Sequence, residues 1–168
     1  MAEWDPKAGY NPDHVARSIR VEIDAPASVV WDILVDLPRY DQWNPFCTHA
    51  ESTLEMGAPV KMTIAMPWDT SETAVMVEYV CAFEPEKLLS WKMDWSEPWP
   101  YAGRRDQVIE KLGPNRCAYY STDAFLGDSG IHIMRFGCAW ISAGFTATAK
   151  ALKVRAEQIH AARQGKAA

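Results

Sequence analysis

The chain has 168 residues, of which 48% are hydrophobic, enough to bury the core of a single domain without disulfide bonds. Its formal net charge is −5 and it contains no block of basic residues, which argues against nucleic acid and anionic membranes as partners. The N-terminal segment has neither the basic region nor the apolar region that directs secretion, so we expect a cytoplasmic protein.

The spacing of cysteine and histidine gives no sign of a metal centre. The sequence contains no CxxC, HxH or HxxxH pair, and these are spacings that ligand clusters usually show. We therefore predict no metal and no cofactor. The cysteines are expected to be reduced and buried. They are Cys47, Cys81, Cys117 and Cys138.

The first part of the chain predicts one strand and two short helices. Residues 1–13 are expected to form an irregular lead-in, and the alternation of apolar residues over 15–24 predicts a half-buried strand. A short helix is expected over 25–36. Pro38 should end it, and a second helical turn is predicted over 39–43.

The middle of the chain predicts strands joined by turns. They are expected over 46–55, 59–66, 71–83 and 88–95, followed by a hairpin over 104–126. The hairpin should turn at residues 113–115, where the sequence Gly-Pro-Asn supplies typical turn residues.

The longest helical pattern runs from Ser129 to about Arg163 and contains no proline. Its first half, 131–149, has a single formal charge, so we expect that half to be enclosed on nearly all sides. The second half is amphipathic and should lie on a surface. The glycine and hydroxyl content of the first half favours a core helix over a membrane span.

Two glycines of this helix predict a close approach. Gly137 and Gly144 are two turns apart and share a face with Trp140. Glycine inside a helix is unfavourable by roughly 1 kcal/mol relative to alanine, so either a sheet or a ligand should lie against this face.

Several short motifs together resemble a known family. They are Ile23–Pro26 with Val30-Trp31, Tyr40–Phe46, Phe83–Trp91, Asp123–Gly127 and the closing segment 144–157. Over residues 14–160 their order resembles the START-like (SRPBCC) helix-grip superfamily, especially its bacterial polyketide cyclase/dehydrase members. The resemblance implies an α+β domain over 14–164, with residues 165–168 frayed. In this fold a curved antiparallel sheet of about seven strands grips the C-terminal helix around a deep apolar cavity.

Tryptophan is in excess, with 8 residues, and an aromatic pocket suits a planar apolar ligand. Ordinary packing in the core is the alternative, and we predict it for Trp31 and Trp43. The ligand-binding residues predicted around the cavity are Trp68, Trp91, Met93, Trp95, Trp99, Tyr101, Gln107, Ser121, Phe125, Trp140 and Gly144.

The last hairpin supplies polar candidates. Counting back from a three-residue loop at 113–115 places Arg105 opposite Asp123. Gln107, Ser121 and Tyr119 fall on the same face, which the resemblance implies is turned inward. Asp123 stands where the family has glutamate. An acid beside a guanidinium should stay ionised, so Asp123 is expected to orient a substrate hydroxyl. The alternative is an exposed salt bridge.

Two functions remain open at this stage. The first is a cofactor-independent enzyme that binds a hydrophobic aromatic or polyketide-like molecule and catalyses cyclisation, dehydration or a lyase step by proton transfer. Its predicted catalytic residues are Asp123, Arg105, Tyr119 and His49, the histidine expected nearest the cavity. The second is a carrier or sensor of a hydrophobic molecule or lipid. We favour the enzyme because these polar groups exceed what a lipid pocket needs. Monomer and homodimer both remain open.

Overall fold

An antiparallel sheet wraps around the C-terminal helix, which confirms the predicted α+β helix-grip architecture. The computed structural model describes residues 13–66, 69, 71–93, 102–126 and 130–165. The strands are β1 (Val15–Arg17), β2 (Val21–Ile23), β3 (Cys47–Glu51), β4 (Pro59–Ala65), β5 (Thr73–Glu84), β6 (Leu88–Met93), β7 (Ala102–Gly113) and β8 (Arg116–Leu126). The helices are α1 (Ala27–Val35), a 3-10 helix (Leu37–Gln42), α2 (Gly130–Phe136) and α3 (Cys138–Gly165).

The strand order is β1-β8-β7-β6-β5-β4-β3, with β2 also paired to β8. Alternate residues of β4 point to the concave face, where Val60, Met62 and Ile64 are buried. The middle of α3 packs into this concavity through Leu152 and Ala156, both fully buried. The sheet and α3 therefore form the core together, as the resemblance implied.

The first predicted strand is divided. β1 and β2 both pair with β8, but residues 18–20 between them leave the strand conformation. Ile19, which the alternation placed with the buried set, is 45% exposed. In this gap the Ser18 hydroxyl accepts a hydrogen bond from the backbone N–H of Ser121. A side chain therefore satisfies a backbone donor that a neighbouring strand would otherwise pair with.

Three predicted boundaries were wrong. The 3-10 helix begins at Leu37, because Pro38 lies in its first turn, where a missing N–H is tolerated. The predicted strand over 46–55 ends at Glu51, and the chain then turns through Leu54 and Gly57, which have positive φ angles. The last hairpin has a two-residue connection, because β7 extends to Gly113 through a register shift.

The prediction that the first half of the long helix is enclosed on nearly all sides was also wrong. The helix is interrupted at Gly137, between α2 and α3. Within α2, Ile131 is 38% exposed and Phe136 is 87% exposed. The segment is apolar because it borders a pocket, and not because protein surrounds it. In the part of the chain that the structure describes, no helix is long and apolar enough to cross a membrane.

The cysteines are all free, and only two of them follow the prediction of burial. Cys47 and Cys117 are buried, whereas Cys81 and Cys138 are half-buried. Burial raises the pKa of Cys47 and of Cys117 to about 11, so neither thiol is a ready nucleophile at neutral pH.

Candidate functional site

A pocket of about 380 Å³ lies between the concave face of the sheet and the segment formed by α2 and the start of α3. Strands β4 to β8 supply one wall, and most of its side chains are apolar. The aromatic lining residues are Phe46, Trp91, Phe125, Phe136, Trp140 and Phe145. The pocket is thus lined by aromatic side chains, of which Trp91 and Trp140 are the two tryptophans.

Two cross-strand rows on the sheet organise its polar end. Arg105 pairs with Trp91 on one side and with Asp123 on the other, which confirms the register predicted from the hairpin. In the next row, Gly103 lies between Met93 and Phe125. All six residues line the pocket. A Cβ atom on Gly103 would lie 3.6 Å from Oδ1 of Asp123, so the missing side chain leaves space in front of this carboxylate.

Arg105 is held deep in the wall and is only 5% exposed. Its guanidinium carbon lies 4.2 Å from the centre of the Phe145 ring and 5.6 Å from that of Trp91. Its Nε donates a long hydrogen bond of 3.4 Å to Ser121 Oγ. Aromatic faces attract cations, so these rings help to keep the guanidinium in a poorly hydrated place.

A second carboxylate, which the sequence analysis missed, lines the same pocket. Glu78 lies on β5 opposite Val60 and is half-buried. The pattern in β5 concealed it, because the residues that alternate with it, among them Val75 and Val77, are apolar but exposed. Reading that alternation as a strand with Met76 and Val80 inward would have placed Glu78 inward too.

The two carboxylates hold their protons unusually tightly. Burial raises the pKa of Glu78 to about 8, with a further contribution from the negative charge of Asp123. Burial also raises the pKa of Asp123 to about 7, although Arg105 acts in the opposite direction. The expectation that Arg105 keeps Asp123 fully ionised was therefore wrong, because loss of hydration outweighs the attraction of the guanidinium.

The other polar residues of the hairpin lie behind the pocket. Tyr119, Gln107 and Ser121 are almost completely buried and are not among the lining residues. The Tyr119 hydroxyl donates a hydrogen bond of 3.2 Å to Gln107 Oε1, and burial raises the pKa of Tyr119. These residues can support Arg105 but do not reach the open space. Their predicted place at the cavity surface was therefore wrong.

Two further candidates lie away from the pocket. His49 points outward with its side chain 51% exposed, and its Nε2 lies 2.8 Å from Glu51 Oε1. The histidine that lines the pocket is His132, on α2.

Gly144 faces Phe46, and a Cβ atom there would overlap the Phe46 ring, so this glycine allows close packing between α3 and the pocket wall. Gly137 and Trp140 do line the pocket.

Four predicted ligand-binding residues lie outside the described residues: Trp68, Trp95, Trp99 and Tyr101. The two predicted core tryptophans differ. Trp31 is buried and meets Phe83 edge to face at 5.0 Å, whereas Trp43 is only half-buried beside Tyr40.

Solved structures share this fold at low sequence identity. A START superfamily protein from Mycobacterium smegmatis has a TM-score of 0.61 at 18% identity, covering 86% of this chain and 98% of that one. A norcoclaurine synthase point mutant from Thalictrum flavum, in complex with a transition-state analogue, has a TM-score of 0.62 at 14% identity. The alignment covers 86% of this chain and 94% of that one. The di-domain ARO/CYC protein of the steffimycin biosynthetic pathway has a TM-score of 0.58 at 11% identity. The alignment covers 91% of this chain and 53% of that one.

A family model makes the relationship specific. The model described as polyketide cyclase/dehydrase and lipid transport matches residues 14–108, which is more than half of the chain. No curated protein matches the sequence. The matched segment begins just before β1, ends at Val108 within β7, and includes Glu78 and Arg105. The chain belongs to the polyketide cyclase/dehydrase and lipid transport family.

Proposed function

We propose that the protein is a cofactor-independent enzyme that binds a hydrophobic, aromatic or polyketide-like molecule and catalyses proton transfer in a cyclisation, dehydration or lyase step. One observation carries this proposal. Glu78 and Asp123 line the same largely apolar pocket, and each has a pKa raised into the range where a group can both donate and accept a proton at neutral pH.

The pair supplies an acid and a base together. Near pH 7 the two groups hold between one and two protons, so a protonated carboxyl and an ionised carboxylate are both populated. In a cyclisation, the carboxylate would remove a proton next to a carbonyl while the acid protonates the accepting carbonyl oxygen. In a dehydration, the carboxylate would remove a proton from the carbon next to the one that bears the hydroxyl, while the acid protonates the hydroxyl, which leaves as water. Such general acid–base catalysis typically contributes a hundred- to ten-thousand-fold in rate.

Arg105 has a supporting role in this proposal. Its positive charge lowers the pKa of both carboxylates and so limits how strongly burial can raise them. Because the guanidinium is recessed against Phe145, it acts on the carboxylates through its field and leaves the pocket surface to them.

A carrier is the competing function, and the family description, which includes lipid transport, favours it. The exposed Phe136 at the pocket rim is also compatible with the entry of an apolar cargo. The two functions differ in whether the ligand leaves the pocket chemically changed, and they share the requirement that the pocket be open.

The Gly103→Leu substitution should abolish binding of planar aromatic ligands. Its side chain would fill the space between Phe125 and the Asp123 carboxylate, where glycine now leaves room. Gly103→Ala is the matched control, because its Cβ would sit at ordinary contact distance and should leave most of the pocket open. Quenching of tryptophan fluorescence by naphthols and hydroxyanthracenes measures the affinity of both variants, and circular dichroism checks that they fold.

Mass analysis of the bound ligand then separates the functions. Conversion of a polyketide-like ligand by the wild type, with binding but no conversion by the Glu78→Gln and Asp123→Asn double variant, would support the enzyme. Recovery of every ligand unchanged, with fatty acids bound more tightly than aromatic compounds, would support the carrier. Equal aromatic affinity of Gly103→Leu and wild type would refute the assignment of this pocket as the ligand site.

A further inference from the structure

We infer that the natural ligand carries a protonated amine on an apolar, largely aromatic body, and that its ammonium group lies against the carboxylates of Glu78 and Asp123. This inference rests on the proposed function, since it names the class of molecule that enters the same pocket. It starts from the charges on the pocket wall.

The described wall has more acid than permanent base. Its titratable residues are Glu78 on β5, Arg105 on β7, Asp123 on β8 and His132 on α2. With both carboxylates ionised and the histidine neutral, these groups sum to one negative charge in a mostly apolar space. Asp106, on the other face of β7, adds a further negative field at Asp123 although it pairs with Arg104. The empty pocket is therefore short of one positive charge.

Arg105 cannot fully supply that charge. It is 5% exposed and packed on Phe145, and its field leaves the pKa of both carboxylates raised. In the empty protein a proton takes the place of the missing cation. A ligand ammonium can displace part of this proton, which still leaves a protonated carboxyl for the proposed acid–base step. The ammonium then gains the attraction of a carboxylate in a site with little water.

The aromatic lining suits an organic cation. Trp140, Phe125 and Phe136 present rings to the pocket in addition to those that contact Arg105. Ring faces attract ammonium groups, by roughly 2 kcal/mol or more where water is excluded. A metal ion is a poorer candidate, because no three His, Cys, Asp or Glu residues of the described segments lie close enough together to hold one.

Three ligands with one ring system test the inference: naphthylmethylamine, naphthylmethanol and naphthoate. Isothermal titration calorimetry at pH 7.5 should show the amine binding at least tenfold more tightly than the alcohol, and naphthoate binding more weakly than both. The amine should also release a fraction of a proton, seen as a dependence of the binding enthalpy on the ionisation enthalpy of the buffer. The alcohol should release none.

Four variants locate the effect. Glu78→Gln and Asp123→Asn should each reduce the preference for the amine, and the double variant should bring the amine and the alcohol within about threefold. Glu55→Gln, at an exposed glutamate between β3 and β4, should keep the full preference. Persistence of the preference in the double variant would overturn the inference.

The possible failures point to different causes. Equal binding of the amine and the alcohol would overturn the inference about the amine while keeping an aromatic pocket. Tighter binding of naphthoate would overturn it in favour of an anion held by Arg105. Failure of all three ligands to bind, with Gly103→Ala and wild type alike, would overturn the inference together with the proposed aromatic ligand site.

Discussion

The Glu78→Gln variant should be more stable than the wild type at pH 8, by about 2 kcal/mol, and equally stable near pH 4. The folded protein raises the pKa of Glu78 from 4.5 to about 8, so between these values the folded state binds more protons than the unfolded state. The free energy of unfolding of the wild type therefore falls as the pH rises through this window. Glutamine has nearly the same shape and no charge, and it removes this loss.

The expected gain in the free energy of unfolding is less than half of what the full pKa shift of Glu78 would give, since each pKa unit corresponds to about 1.4 kcal/mol. Water in the pocket and small side-chain movements relieve part of the strain of an ionised Glu78, which is only half-buried. Urea denaturation at pH 4, 6 and 8 measures the effect, with Glu55→Gln as the exposed control. A loss of stability at pH 8 would contradict the account, because it would mean that the ionised carboxylate is well satisfied.

The same reasoning reverses an expectation for Asp123→Asn. Removal of one partner of a buried ion pair ordinarily costs on the order of 2 to 5 kcal/mol, since the other partner, here Arg105, is left buried without a counter-charge. In the Asp123→Asn variant, Arg105 would retain its charge interaction with Glu78, its hydrogen bond to Ser121 and its contacts with two aromatic rings. Burial of the Asp123 carboxylate is itself unfavourable. Asp123→Asn should therefore be close to neutral or stabilising at pH 8.

The Arg105→Met variant should lose roughly 3 to 5 kcal/mol of stability at pH 8. Removal of the guanidinium leaves two carboxylates in one pocket without their cation, and it raises the pKa of Glu78 and of Asp123 further. The loss should be smaller at pH 5, where both carboxylates are protonated. In a catalysed reaction, the limb of the rate profile on which the acid loses its proton should move to higher pH.

Denaturation at pH 5 and pH 8 measures this prediction. Arg39→Met, at an exposed arginine of the 3-10 helix, is the matched control and should change stability little at either pH. Arg105→Lys retains a charge but not the planar contact with Phe145, and it should fall between wild type and Arg105→Met. An equal loss at both pH values would mean that Arg105 stabilises the fold through packing alone.

The sequence predicted the site best where interactions are local. The pairing of Arg105 with Asp123 was predicted by counting back along the hairpin between β7 and β8. The count holds because the register shift between Lys111 and Gly113 compensates for a connection that is one residue shorter than predicted. Glu78 could not be found in this way. It reaches the pocket from β5, which is separated from β8 by two strands, and both faces of β5 contain apolar residues.

The misplaced candidates failed for a related reason. His49 was expected near the cavity because it lies on the strand that follows Asn44-Pro45. It lies where the register between β3 and β4 shifts, and its ring turns to Glu51. The apolar first half of the C-terminal helix indicated burial, yet an apolar stretch serves equally to border a pocket. Only the packed structure distinguishes a helix face that is covered by protein from one that faces an open cavity.

The central claim is that Glu78 and Asp123 share protons near neutral pH inside the pocket. Carbon-13 NMR of the side-chain carboxyl carbons measures this directly, with the two signals assigned by their loss in Glu78→Gln and Asp123→Asn. We predict that the pair titrates with apparent pKa values of about 7 and about 8, well above the ordinary values of 3.8 for aspartate and 4.5 for glutamate. Titration of both carbons below pH 5 would contradict the account and remove the basis for acid–base chemistry at this site.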